Sequence, residues 1–544
     1  MSARGDVALL SGSLAVAFLP FTVFGQAAPA SNGLGEIHFD VSCPEAAQAR
    51  FNGAVALLHH MTYPRARMEF SAIASAYPSC AMAHWGIAMT LFQPLWPTRP
   101  TEDDLRRGWQ EISKAREAGA VTAREEMFIA AASAFFDPAH TDYWKRIAHW
   151  AEATRALYDA YPEDLEVKAF FALSHLATAP ASGDLTHHMM AAAVLAEVLR
   201  DQPTHPGAVH YTIHANDAVG RQRESLNVVR SYDRIAPRNA HALHMPTHIF
   251  VLLGEWDGVI DGNRRAAEAA LENPAGDRQQ WVWDEFPHAI EYLVYAHLQV
   301  GDDSAAWQAL TRLQQTDSLQ PSFKTAFNLS SIPVRYVLER RDWSGAANLE
   351  PRPHPALPWD RFPWPEAVTW FARGLGAARS GNIQAARDAE ARLGLLRDTS
   401  KRLGEDLFTR QIEILRLSVA AWLAHAGADD EDAVRLMLEA VSLEANTPKH
   451  PVTPAPTLPA SELLGDLLLE MGRADAALEA YRSSLQTAPG RFNSLVGAAR
   501  SARTMGDSAQ AMAYYRELRA LSVAGSKRPE LLEAGAFLDG KPRR

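Results

Sequence analysis

The residues best suited to chemistry in this chain are histidines, and they are concentrated. Between Val209 and Leu253 stand His210, His214, His241, His244 and His248, five of the 20 histidines in under a tenth of the 544 residues. His210/His214 and His244/His248 are each spaced by four, one helical turn, which sets both rings of a pair on one helix face. The two pairs are offset by 34 residues. A histidine pair at i and i+4 is a half-site for zinc or another first-row metal, and two half-sites on neighbouring helices offer four nitrogen ligands. Asp217, His288 and Glu291 extend the set as further ligands or as partners that orient the imidazoles. Mixed nitrogen and oxygen donors suit a divalent transition metal, whether zinc, iron, copper or manganese. The metal-free alternatives are histidines stacked on aromatics such as Tyr211 and Phe250, or acid–base work without an ion.

The elements that position these residues are helices. Leu, Ala and Arg abound and β-branched runs are scarce. The length suits two or three domains or a long solenoid. The C-terminal region shows the repeat most clearly: Gly472, Ala477 and Tyr481 recur 34 residues later as Gly506, Ala511 and Tyr515. A glycine at a tight turn, an alanine where helices cross and an aromatic plug between hairpins each have a packing reason to recur. Near the start, Ala54, Ala66, Phe70 and Pro78 follow the same plan, and Ala88 lies 34 after Ala54. The Pro-rich loop FQPLWPTRP, residues 92–100, is long for a connection between helices and is expected to pack over the groove.

Net charge is -11, with no basic cluster, which disfavours nucleic acid and anionic membranes. Arg4, the apolar run Val7 to Phe24 and small residues at Gly25-Gln26-Ala27 or Ala28-Pro29-Ala30 read as a secretory signal peptide over residues 1–27, and so as an exported, periplasmic protein with no stable membrane span after cleavage. An uncleaved anchor is the alternative, the apolar run being near the shortest length for a span. In an exported chain, Cys43 and Cys80 are expected to form a disulfide; the alternative is two unrelated buried thiols. Nucleophile elbow, phosphate loop, HExxH and CxxC motifs are absent from the sequence.

With AMAHWGIAM at 81–89, HYTIHA at 210–215, LHMPTHIF at 243–250, FPHAIEYL at 286–293 and KHPVTPAPTLPASELLGDLLLE at 449–470, the chain resembles the tetratricopeptide-repeat superfamily, and within it a family of exported bacterial repeat proteins of about this length. The resemblance implies an all-α superhelix of antiparallel helix hairpins, an α-solenoid, and a scaffold that takes a protein or peptide partner in its concave groove. In such repeats the first helix lines the groove. Counting from Pro206 and Ala240, His210 and His244 take the fifth position, His214 and His248 the ninth, His241 the second and Asp217 the twelfth; counting from Pro287, His288 takes the second and Glu291 the fifth. The six slots at positions two, five and nine of the first two repeats hold five histidines, where random placement gives about 0.2. Chance is a poor account of that. Where such proteins often carry a second histidine after the FPH segment, this chain has Glu291.

The expected organisation is residues 43–349 as an N-terminal superhelix, a Pro-rich linker at 350–365, C-terminal repeats at 366–521 and a tail at 522–544. The leading functional reading is a binding scaffold with a metal site on the concave face of the central repeats. The alternatives are a metal-dependent hydrolase or oxidoreductase using Glu291 or Asp217 as general base, and a metal carrier. Pro246, between two of the ligands, strains its helix unless it stands in a first turn. His59 is expected to end a helix beside the carbonyl dipole, His84 and Trp85 to pack, and His187 and His188 to be solvated. His450, with Pro451 and Pro454, is expected to form a rigid connector that docks the last two repeats.

Overall fold

A computed structural model describes residues 33–96, 99–119, 122–182, 185–276 and 278–540; the signal peptide expected at 1–27 lies outside them. The described residues form an all-α solenoid. Extended pairing among them is limited to the isolated bridges Ala275–Trp281 and Val282–Leu319. Each helix packs chiefly on its neighbours in sequence, the arrangement of a repeat stack in which no hairpin can bury its apolar face alone.

Local signals set the helix ends. Thr101 with Asp104 and Thr122 with Glu125 form capping boxes for Glu102–Ala118 and Ala123–Phe136, satisfying donors that a first turn leaves open. In the C-terminal hairpins Gly472 and Gly506 take left-handed φ of 75° and 82°, the conformation in which glycine has no steric cost. Ala477, Ala511, Tyr481 and Tyr515 are buried.

The central repeats are built from Pro206–Asn216, followed by the short helices Leu226–Val229 and Tyr232–Ile235; then Ala240–His244 and Pro246–Leu253, backed by Trp256–Leu271; then Glu285–Gln299, backed by Asp303–Gln314. Pro246 divides one groove helix into two, and stands at the start of the second piece, where its missing N–H is no loss.

The Pro-rich stretch 350–365 does not separate two cores. Leu357, Trp359, Phe362 and Trp364 are buried in one cluster with Phe323, Phe408 and Leu463, because the second half of the stretch sets large apolar residues among its prolines. Nor are residues 522–540 a loose tail. Helix Pro529–Leu538 lies there, Arg528 pairs with Asp303 at 2.6 Å, and the Val523 N–H donates to the Val300 carbonyl at 2.9 Å. The C-terminal repeats also fold back on the central ones, through Arg491 to Glu339 at 2.8 Å and the Trp256 indole N–H to the Gly490 carbonyl at 3.2 Å. Cys43 and Cys80 are joined by a disulfide, with Cα atoms 4.8 Å apart. Among the described residues no helix is long and apolar enough to cross a membrane.

Candidate metal centre

Three successive groove helices deliver the histidines. Pro206–Asn216 carries His210 and His214, the divided helix carries His241, His244 and His248, and Glu285–Gln299 carries His288. His205 and Asn239 cap the first two, each side chain accepting a backbone N–H, which fixes the phase of the helix that follows. His210, His241, His244, His248 and His288 are all buried.

The rings gather as two trios. His210, His214 and His241 form one; His244, His248 and His288 form the other. Each trio takes the i, i+4 pair of one repeat and adds the first groove histidine of the next. This corrects the simpler picture of two pairs closing on a single ion. The pairs stay together, and each meets the leading ring of the next repeat. In the first trio the Nε2 atoms of His214 and His241 each lie 3.1 Å from that of His210. In the second, His244 and His248 bring their Nε2 atoms to 2.9 Å. Nitrogens around one zinc ion stand roughly 3.3 Å apart, so these spacings are close to those of a ligand set. The trios adjoin, with ring centroids of His214 and His248, and of His241 and His244, 6.2 Å apart.

Proton placement decides what those contacts mean. His244 Nδ1 lies 2.7 Å from Asn263 Oδ1. The Asn263 amide nitrogen donates to the Val259 carbonyl and to Thr247, so its oxygen is the acceptor and His244 carries its proton on Nδ1. His248 Nδ1 faces Asp217 Oδ2 at 2.9 Å and is protonated for the same reason. Two neutral rings therefore meet lone pair to lone pair across 2.9 Å. In the first trio His210 donates from Nδ1 to the His59 carbonyl at 2.6 Å, so its Nε2 lone pair faces His241, whose Nδ1 stands 3.2 Å from Glu285 without a hydrogen bond to it. Burial disfavours an added proton, holding His210, His244 and His288 well below the ordinary imidazole range and lowering His248 against the pull of Asp217, while the Tyr292 hydroxyl lies 3.3 Å from His248 Nε2. A cation between the nitrogens relieves the conflict. The outer bonds to carboxylate, amide and carbonyl are those that orient metal-bound histidines.

A third group shows the contrast. His59, Glu166 and His205 also lie close enough to hold an ion, but here a carboxylate stands between the two rings and takes the His59 proton without one. His205 Nδ1 accepts the Ala208 N–H, so its proton is on Nε2, 3.3 Å from Glu166. His59 gives Nε2 to Glu166 at 2.9 Å and shares Nδ1 with the Tyr211 hydroxyl at 2.9 Å. Burial raises the Glu166 carboxyl, but His205 and His59 outweigh that and keep it low and ionised. His59 ends helix Glu45–His59, as expected, and is there a buried partner of Glu166 and Tyr211.

Of the other expected site residues, Asp217 orients His248 and is held ionised by Lys449 at 2.9 Å. Glu291 is a correction. It sits on the same helix as His288 but points to Arg335, 3.0 Å away, and to Thr453. It is neither a ligand nor a base at the histidines, because a buried guanidinium claims it. His84 bonds Glu111, and His187 is paired with His175 at 2.8 Å rather than left to solvent. His450 is buried among Phe408, Trp364 and Phe323.

The centre is covered. Trp96, from the Pro-rich loop, lies against His241 with centroids 5.9 Å apart, and Lys324 stands over Trp96. Pro451 and Val452, from the connector, complete a narrow cavity of about 30 Å³ over His214, His241, His248 and His288, with Met61, Leu95 and Met245 in its walls. Glu285, Lys324, Asn263 and Lys449 had no signal in the sequence beyond the position of Glu285 one turn before His288.

No protein-family profile matches the chain, and no curated protein matches it. Among solved structures, the APC/C hetero-tetramer Cut9-Hcn1 aligns over 91% of this chain and 97% of its own at 12% identity, with a TM-score of 0.26. At that level of superposition the match adds nothing to the helix-by-helix description.

Proposed function

We propose that this chain is an exported helical-repeat metalloprotein whose central repeats hold two transition-metal ions, one in each histidine trio. The observation that carries the reading is the approach of the His244 and His248 Nε2 lone pairs with both Nδ1 protons claimed by outer partners. Export is supported by the disulfide, a bond that oxidising compartments preserve. A peptide in the groove, the use that the repeat fold suggests, has no room over the histidines because the connector, Trp96 and Lys324 lie there. The strip therefore serves bound ions and small ligands.

Metal analysis of full-length protein purified without a histidine tag tests this. About two equivalents of transition metal are expected, falling to about one in His214→Ala and in His248→Ala, with a lower melting temperature on metal removal. Less than about 0.1 equivalent, with no uptake on reconstitution and no change in melting temperature, overturns the reading.

A further inference from the structure

We propose that the two ions are copper in the +1 state, and that the cavity over them receives a small uncharged diatomic molecule of the dioxygen class. This rests on the two-ion reading. The argument starts from charge. All six inward ligands are imidazoles, so the shell around the ions brings no charge of its own. The ionised groups touching that shell nearly cancel: Asp217 behind His248 is paired with Lys449, and Glu285 behind His241 shares Lys324 with Asp284. Three carboxylates against two ammoniums leave one negative charge at most for both ions. Of the next carboxylates out, Glu291 is neutralised by Arg335, and Glu166 is held by His59 and His205, which stand between it and the first trio.

Two divalent ions would therefore leave about three uncompensated positive charges in a buried site, where unpaired charge is costly. Two monovalent ions leave about one. Imidazole is a suitable donor to copper, and the thioether of Met is a ligand type that selects Cu(I). Met61 and Met245 both line the cavity.

The cavity selects the ligand by size and polarity. Its volume of about 30 Å³ exceeds what one water molecule needs and excludes a peptide or a sugar. Apart from the rings, its walls are the apolar Met61, Leu95, Trp96, Met245, Pro451 and Val452, with Glu285, whose carboxylate repels an anion; the Trp96 indole N–H is directed at Met61 Sδ at 3.1 Å. Lys324 also lines the cavity, with its ammonium held by Glu285 and Asp284. An apolar diatomic that binds electron-rich Cu(I) fits that wall; a phosphate or carboxylate substrate does not.

The test uses full-length protein, stripped of metal and offered equal concentrations of Cu(I) and Zn(II) under reducing, oxygen-free conditions, followed by carbon monoxide as the diatomic probe. The expected result is uptake of two copper ions in preference to zinc, and an infrared C–O band that shifts on isotopic substitution. Val452→Phe, which fills the cavity without removing a ligand, is expected to keep both copper ions and lose most of the band. Two bound ions that are zinc overturn the copper assignment while leaving the two-ion reading intact. Two copper ions without a carbon monoxide band, or a band unchanged in Val452→Phe, overturn the cavity assignment. Absence of any bound metal removes the two-ion reading itself.

Discussion

At the scale of single residues, the proposed metal centre depends less on where its histidines stand than on which nitrogen carries the proton. Asp217 illustrates this. It touches no ligand nitrogen in the trio, yet its carboxylate assigns the His248 proton to Nδ1 and turns Nε2 inward. Asp217→Asn keeps the shape but leaves Lys449 without its counter-charge and allows the amide to face either way. Metal affinity of the second trio is expected to fall about 10- to 100-fold, read by competition with a chelator, while the first trio keeps its ion. His450 carries a separate, pH-linked prediction. Burial among aromatic rings, with Lys449 and Arg99 nearby, lowers its pKa to about 3, and its Nδ1 accepts the Val452 N–H at 3.0 Å. The unfolded chain, with an ordinary value near 6.5, binds this proton first. The stabilising term is therefore complete above pH 6.5 and is lost as pH falls towards 3. His450→Gln is expected to reduce the stability lost between pH 7 and 5 by about 2 kcal/mol in denaturant titrations; an unchanged acid limb would show that this ring is not held neutral.

At the scale of elements, the two trios follow from repeating one helix placement. The spacing of four and the 34-residue period were legible in the sequence because each is a property of a single helix or of its exact copy. The partition was not. His241 and His288 join the preceding pair because neighbouring repeats bring their rings into contact, and Glu291 turns away because Arg335 lies beside its helix. Contact between helices also explains Gly207, in the first turn of the helix carrying His210. A Cβ there would stand 2.5 Å from His59 Nδ1, so the helix approaches His59 closely only with glycine. Gly207→Ala is expected to cost about 1–3 kcal/mol, measured by denaturant unfolding, and to weaken the bond from His210 to the His59 carbonyl. An alanine variant as stable as the parent would mean that His59 has room to move.

At the scale of the whole molecule, chain segments distant in sequence close the centre. Lys449 reaches Asp217, and Arg335 ties the connector to the central repeats through Thr453 and the Ala455 and Pro456 carbonyls. The disulfide secures the other end, joining the entry strand of the first hairpin to helix Ala81–Phe92, whose following loop supplies Trp96. Closing a loop of this length contributes roughly 4 kcal/mol against the unfolded chain. Cys43→Ser/Cys80→Ser is therefore expected to lower unfolding free energy by about that amount, and reducing agent is expected to have no effect on the double variant. The sequence by itself determined the helical class, the 34-residue frame and the six histidines facing one groove, since periodicity dictates which side of a helix is buried. Only the tertiary structure decided how those rings divide, which carboxylates stand behind them and what covers them. Those outcomes depend on contacts between neighbouring repeats and across hundreds of residues, and no local spacing encodes either.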